Sequence, residues 1–183
     1  MSRSERSKAV LLETAARVLA ENPGISLAEV ASRAGIGRAT LYRHFPSREQ
    51  LIQALAERSI EELDQALAGV YERSATALEY FQGMMDAVVP LGDRYHFLSR
   101  EWDTLTDPVL RKSLDRQMQG LEETVEALKA EGAIALDVPT AWAVAAIDSL
   151  IYAAWSSVHE GRVARREAAQ LAVRTLLDGL SPR

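Results

Sequence analysis

The chain is predicted to be all-α on three observations. Apolar residues recur at helical spacing along most of its length, glycine and proline are scarce at 10 and 6 in 183 residues, and no alternating run bounded by turn residues reads as a strand. Hydrophobic residues make up 48% of the chain, enough for one substantial core or for a small module attached to a larger one.

The first helix is expected over residues 4–21, with Leu12, Ala15, Ala16 and Leu19 on one face and Asn22-Pro23-Gly24 as its breaker. Ser26 and Glu29 have the spacing of a capping box, so a short helix over 27–33 begins with its free donors satisfied by side chains. Gly35 supplies the left-handed residue that ends it. A third helix, 38–44, turns Leu41 and Phe45 inward and is closed by Pro46 and Ser47. Ser47 and Gln50 repeat the cap spacing and open a long helix through Leu51, Leu55, Leu63 and Leu67 to about Tyr71, a rod of roughly 36 Å at 1.5 Å per residue.

Helices then follow at about 75–89, 92–103, 108–131, 139–159 and 163–180. Asp107 as cap, Pro108 at the first position and Gly132 past the end bracket the third of these, and Leu110, Leu114, Met118, Leu121, Val125 and Leu128 form its apolar face. The sequence divides into a three-helix unit, 1–46, and a six-helix unit, 47–183, with helix 47–71 bridging the two. No internal repeat and no low-complexity linker interrupts this plan.

Without cysteine the chain has no disulfide framework, thiolate metal site or thiol nucleophile, which fits a reducing compartment. Arg6, Lys8, Glu13 and Arg17 break up the N-terminal segment where a secretory signal needs an unbroken apolar run, so a cytoplasmic protein is expected. The most apolar window, 138–158, carries Asp148 near its middle and several alanines and serines, which suits a buried helix better than a membrane span. No association with a membrane is expected. The net charge of −5 is unevenly spread: residues 1–50 hold eight Lys/Arg against five Asp/Glu, and residues 51–183 hold thirteen against twenty-one. A basic head able to approach phosphates, on an acidic body kept away from them, is the implied arrangement.

The segment from Leu27 to Tyr42 has what a helix-turn-helix requires. Ala31 is small where two short helices must approach, Gly35 makes the turn, and Leu27, Val30, Ile36 and Leu41 share a core that fixes the angle of the second helix. The N-terminal end of that second helix is the part that enters a major groove, which sets Gly37, Arg38, Ala39 and Thr40 at base edges. Arg38 is the expected base reader, because its guanidinium donates bidentately to guanine; Thr40, Tyr42 and His44 suit phosphate oxygens, and Arg48 adds a charge-assisted phosphate contact. With Ser26 at the start of the preceding helix, these form the expected DNA-facing set: Ser26, Gly37, Arg38, Ala39, Thr40, Tyr42, His44 and Arg48.

The run Thr40-Leu41-Tyr42-Arg43-His44-Phe45-Pro46-Ser47-Arg48-Glu49-Gln50-Leu51 resembles the signature of TetR-type regulators, and the resemblance covers roughly residues 8–60. One position departs: the usual lysine after the Pro-Ser pair is Arg48, which keeps the charge but changes the geometry offered to a phosphate. The resemblance implies a nine-helix, Ω-shaped homodimer. Helices 1–3 bind a pseudo-palindromic operator in double-stranded DNA, the last two helices pair with their mates as a four-helix bundle, and helix 4 relays the signal. It further implies a small-molecule effector, of unknown identity, that enters among the middle helices and shifts the heads apart, releasing the operator and relieving repression.

Large side chains with polar tips suit such a pocket, and Met85, Phe97, Trp102, Asp148 and Tyr152 are its expected contacts, chosen from a wider set that includes Tyr80, Met84, Tyr95, Trp142 and Trp155. Most residues of that wider set belong to plain core. Asp148 needs a partner wherever it is buried, whether an effector, the dimer mate or a structural donor. Ala145, Ser149, Ala153 and Ser156 put small residues on the penultimate helix, and Ala168, Leu171, Ala172, Val173 and Leu176 make the last one amphipathic, so close pairing is allowed.

An enzyme is the rival from another class, and the sequence speaks against it. His44, His96 and His159 are scattered, His159-Glu160-Gly161-Arg162 lacks the second histidine of a zinc-protease helix, and Thr40 stands where the third glycine of a dinucleotide fingerprint belongs. No catalytic residue, metal ligand or cofactor is expected. A closer rival keeps DNA binding but responds to a protein partner or to nothing; a closed, filled core in place of a cavity favours that version.

Overall fold

The computed structural model describes residues 3–101 and 107–182. Within them the regular structure is helical throughout: α1 (Arg3–Glu21), α2 (Leu27–Arg33), α3 (Arg38–His44), α4 (Arg48–Leu67), α5 (Val70–Arg73), α6 (Ala77–Val88), a 3₁₀ turn (Val89–Leu91), α7 (Gly92–Glu101), α8 (Pro108–Ala130), α9 (Thr140–His159) and α10 (Arg165–Leu180).

The caps expected from the sequence are made. Ser26 Oγ accepts from the Glu29 N–H at 3.2 Å, Ser47 Oγ from the Gln50 N–H at 3.3 Å, and Asp107 Oδ1 from the Val109 and Leu110 N–H groups at 2.8 and 3.1 Å. At the end of α2 the Gly35 N–H donates to the Ser32 carbonyl and the Ile36 N–H to the Ala31 carbonyl, at 3.1 and 2.9 Å, with Gly35 at φ 65°. This is a Schellman closure, and it gives the turn between α2 and α3 a fixed shape.

One element differs from expectation. The long helix predicted to reach Tyr71 stops at Leu67, and Val70–Arg73 forms a separate turn. Gly69 between them has φ 74°, a conformation that only glycine adopts freely, and Ala68 before it is extended at ψ 126°. Leu63, Leu67 and Val70 keep helical spacing across the break, so apolar periodicity alone runs straight through it.

Leu11, Ala15, Val30, Leu41 and Phe45 of the first three helices are buried together with Leu51, Leu55 and Ala56 of α4. Each large side chain among them contributes about 1.5–3 kcal/mol relative to exposure. α4 also packs on α6, α7 and α8, and α9 lies against α7, α8 and α10. The start of α4 is therefore embedded in the N-terminal helices while its far end is embedded in the later ones. α9 is apolar and long enough to cross a membrane by length and composition, but Ala143, Val144, Ile147, Ile151 and Ala154 are packed inside the protein.

Candidate functional site

α3 is anchored by Leu41 and by Phe45 just past its end, both buried, and these set which of its residues face outward. Gly37, Arg38, Ala39, Tyr42 and Arg43 are exposed and Thr40 is half-buried. Arg38 with Tyr42, and Ala39 with Arg43, are one helical turn apart and share a face. Arg38 is the first residue of α3, where a side chain projects beyond the helix end toward whatever the helix points at. Arg33, one element earlier, is paired with Glu29 at 3.3 Å and Glu21 at 3.9 Å, so its charge is balanced locally.

Three of the expected DNA-facing residues sit differently from the exposed set. Ser26 is exposed but its oxygen already caps α2. His44 is half-buried, its ring tilted on Phe45 with 6.2 Å between centroids, and its Nε2 is covered with no hydrogen-bond partner. Arg48 reaches back across the N-terminal helices and donates to the Ile25 carbonyl at 2.7 Å and to the Pro23 carbonyl. It clamps the turn between α1 and α2, and in that geometry its guanidinium is occupied by backbone acceptors rather than offered to a phosphate. Arg43, which the sequence reasoning quoted but assigned no role, is an exposed cation on the face that carries Ala39; its spacing of four from Ala39 is the signal that was available.

Behind α3, an ionic junction ties α1 to α4 and α7. The buried Arg94 guanidinium donates to Glu62 at 2.9 Å, to Glu13 and to its neighbour Asp93. Arg58 donates to Glu62 at 2.7 Å and to the Ala9 carbonyl at 3.1 Å, and lies 3.5 Å from Glu13. Burial pushes the Glu62 carboxyl up, but the hydrogen bonds from Arg58 and Arg94 outweigh it and hold Glu62 below the usual carboxylate range. Burial likewise works against the Arg94 charge, and the bonds to Asp93, Glu13 and Glu62 more than restore it.

A cavity of about 540 Å³ opens among α4, α5, α6 and α8. Leu63, Met84, Val88, Leu114 and Leu121 are its buried floor; Asp64, Tyr71, Glu72 and Arg116, all exposed, mark its mouth. Tyr80 and Tyr71 meet edge to face with 6.0 Å between ring centroids, and burial pushes the Tyr80 phenol up, keeping it a neutral donor. The effector contacts expected from the sequence are not here. Met85 and Phe97 are fully buried in the core, and Tyr152 stacks on His96 at 3.9 Å. Asp148 is half-buried on α9 and does not line the cavity, and Trp102 lies outside the described residues. Met84 and Tyr80 take the place expected of Met85 because on α6 the helical turn that buries Met85 aims its neighbour at the void.

On the far side, α9 leaves a face bare. Trp142 is 65% exposed, Ala145, Ser149 and Ala153 are exposed in line with it, and Leu171 of α10 is 42% exposed.

Residues 11–55, the stretch that contains α2, α3 and the start of α4, match the family described as bacterial regulatory proteins, tetR family. The chain is 28% identical over 157 residues to the HTH-type transcriptional repressor LfrR of Mycolicibacterium smegmatis, covering 86% of this chain and 82% of that one. The crystal structure of LfrR in complex with proflavine superposes with a TM-score of 0.72 at 26% identity over the full length of both chains. AibR, solved in complex with isovaleryl coenzyme A and operator DNA, shares the fold with a TM-score of 0.68 at 20% identity, covering 93% of this chain and 98% of its own. The helix-turn-helix match and the likeness to LfrR agree: residues 11–55 carry the helix-turn-helix of the tetR family, and along its whole length the chain is similar to a TetR-like transcription regulator.

Proposed function

We propose that the protein is a repressor that holds a pseudo-palindromic operator as a homodimer in the cytoplasm and leaves it when a small molecule occupies the cavity beside α4. The observation that carries this reading is the position of that cavity. Leu63, Asp64 and Leu67 of α4 line it, and Glu62, the next residue along, bonds Arg58 and Arg94, the two cations that reach Glu13 of α1. A ligand pressing on α4 therefore acts one residue away from the contact that sets the head's attitude, and differential binding to two head positions is all that coupling needs. The division of labour is a head of residues 1–46 and a body of 47–183, with α4 crossing between them.

Arg38 is assigned to a guanine edge, with Gly37 and Ala39 letting the helix end approach the bases, and Thr40, Tyr42 and Arg43 to phosphates. The bare face of α9 with Leu171 of α10 is the dimer surface; it sets two copies of α3 about one DNA turn, 34–36 Å, apart. The repressor role of LfrR and the ligands bound to LfrR and AibR support this reading. An open cavity in place of a filled core weighs against the version without a ligand.

The experiment is release of bound operator by small molecules, followed by fluorescence anisotropy, in the wild type and in Gly120→Leu. Gly120 lines the cavity, and a Cβ added there meets nothing within 4 Å, so the larger side chain of leucine can be introduced on the cavity lining. Release of the wild type together with an unresponsive, DNA-bound Gly120→Leu is the expected result; release of both alike means that the ligand acts elsewhere.

A further inference from the structure

The chemistry of the cavity narrows what it takes, an inference that rests on the ligand-responsive reading above. Its floor is apolar, built from Leu63, Met84, Val88, Leu114 and Leu121. Its mouth is acidic and aromatic. Asp64 is fixed there by Gln117, whose Nε2 donates to Oδ1 at 3.0 Å, and Glu72 stands one residue beyond Tyr71. Arg116 is the one cation among the described lining residues, and it turns along its own helix to donate to Ser113 Oγ at 3.2 Å. Two carboxylates against one diverted guanidinium leave the lining side chains net negative, with the Arg73 guanidinium placed against Gly69 rather than in the lining.

The tyrosines add to this. Tyr71 is 80% exposed, and its edge-to-face packing on Tyr80 leaves ring faces at the mouth uncovered. The face of an aromatic ring carries negative charge density and attracts cations, the more so when the pair is withdrawn from water. A deep apolar wall behind an entrance of carboxylates and ring faces is complementary to one kind of molecule.

We propose that the cavity binds a hydrophobic organic cation, its apolar body against Leu114 and Leu121 and its positive group at the mouth between Asp64, Glu72 and the Tyr71 ring. An organic anion of the same size meets the same floor but is repelled at the entrance, so charge sign is the feature on which the site discriminates.

The test uses two probes of the same shape and opposite charge, tetraphenylphosphonium and tetraphenylborate, titrated calorimetrically into the full-length protein. The cation is expected to bind about tenfold tighter than the anion. In Asp64→Asn/Glu72→Gln that preference collapses through loss of cation affinity, and both sites are exposed, so an unchanged melting temperature certifies the fold. Gly120→Leu removes binding of both probes. Equal affinity for the two, or preference for the borate, with both lost in Gly120→Leu, overturns the cation assignment and leaves the ligand pocket standing. An Asp64→Asn/Glu72→Gln variant that keeps the full preference also overturns it. Binding of neither probe to the wild type counts against the pocket itself, and with it the ligand-responsive reading.

Discussion

The head and the body handle their apolar residues in opposite ways. In the first three helices Leu11, Ala15, Val30, Leu41 and Phe45 are sealed, and what reaches solvent on α3 is Arg38, Ala39, Tyr42 and Arg43. In the body, packing is left open in a cavity of about 540 Å³ beside α4 and along a bare stripe on α9 where Trp142 is 65% exposed. A recognition helix has to be held at one angle, so its support is closed. In the function proposed above the body senses a ligand and pairs with a second copy, and it works through contacts it has yet to make, so its support is open.

The sharpest way to break this contrast is to compare truncations in the two regions. Phe45→Ala is expected to cost about 3–5 kcal/mol and to unfold the head, whereas Leu121→Ala, on a side chain that already faces a void, falls near the low end at about 2 kcal/mol; thermal denaturation of both variants decides it. Equal losses would mean that the cavity wall is as tightly packed as the head.

Charge on the bare stripe tests its openness next. Ala145→Glu with Ala153→Glu leaves the monomer fold intact, since both positions are exposed, but sets like charges against each other in a dimer. We expect dimer affinity to fall by about 2–4 kcal/mol, read by analytical ultracentrifugation. An unchanged dimer would move the interface off α9.

Where head and body meet, Arg94→Met strips three carboxylates of a shared partner and leaves Asp93 buried without it. A loss of about 2–3 kcal/mol is expected, with operator binding retained but no longer responsive to ligand. Intact responsiveness would remove the junction from the relay.

On the head's surface, Arg38→Ala should weaken specific binding by about 1–3 kcal/mol and relax preference at one base per half-site. Tyr42→Ala should weaken binding to all sequences alike, and a base-specific loss there would transfer the reading role to Tyr42.

The smallest effect is electrostatic. Glu62 is held below its ordinary pKa, so the stability it contributes is present above the usual carboxylate range and is lost as pH falls through its lowered folded value. Because Glu62 is partly solvated, the contribution is under about 1 kcal/mol. Glu62→Gln should lower the neutral and alkaline plateau by that amount and flatten the acid-side slope, so that the two profiles converge at low pH.

How much of this was legible in the sequence differs between the two regions for the same reason. Caps and turns are local: Ser26 with Glu29, Ser47 with Gln50 and Asp107 with Pro108 signal helix starts within a few residues, and Gly35 signals its turn. The helices of the head and their apolar anchors follow from such signals. The break at Gly69 was missed because Leu63, Leu67 and Val70 stay in phase across it, and one glycine in a helical pattern is a weak local signal.

The site residues that escaped are those whose role is decided by distant partners. Arg48 carries the same charge whether it meets a phosphate or the carbonyls of Pro23 and Ile25, and the choice depends on how α1 and α2 bring that turn to α4. Met84 and Met85 are adjacent and chemically identical; helix rotation against α4 and α8 alone determines which one meets the cavity. The apolar stripe of α8 was legible as a helical face, and part of it is core, but Leu114, Met118 and Leu121 also wall a space that no sequence pattern encodes.

The central claim is that the exposed end of α3 reads DNA in a paired arrangement, and selection of genomic fragments by the purified protein at a stated salt concentration tests it most directly. The account predicts a pseudo-palindrome with half-sites about one turn apart, recovered by the wild type and degraded at one base per half-site in Arg38→Ala. Fragments with no shared sequence, or a motif indifferent to Arg38, would contradict it.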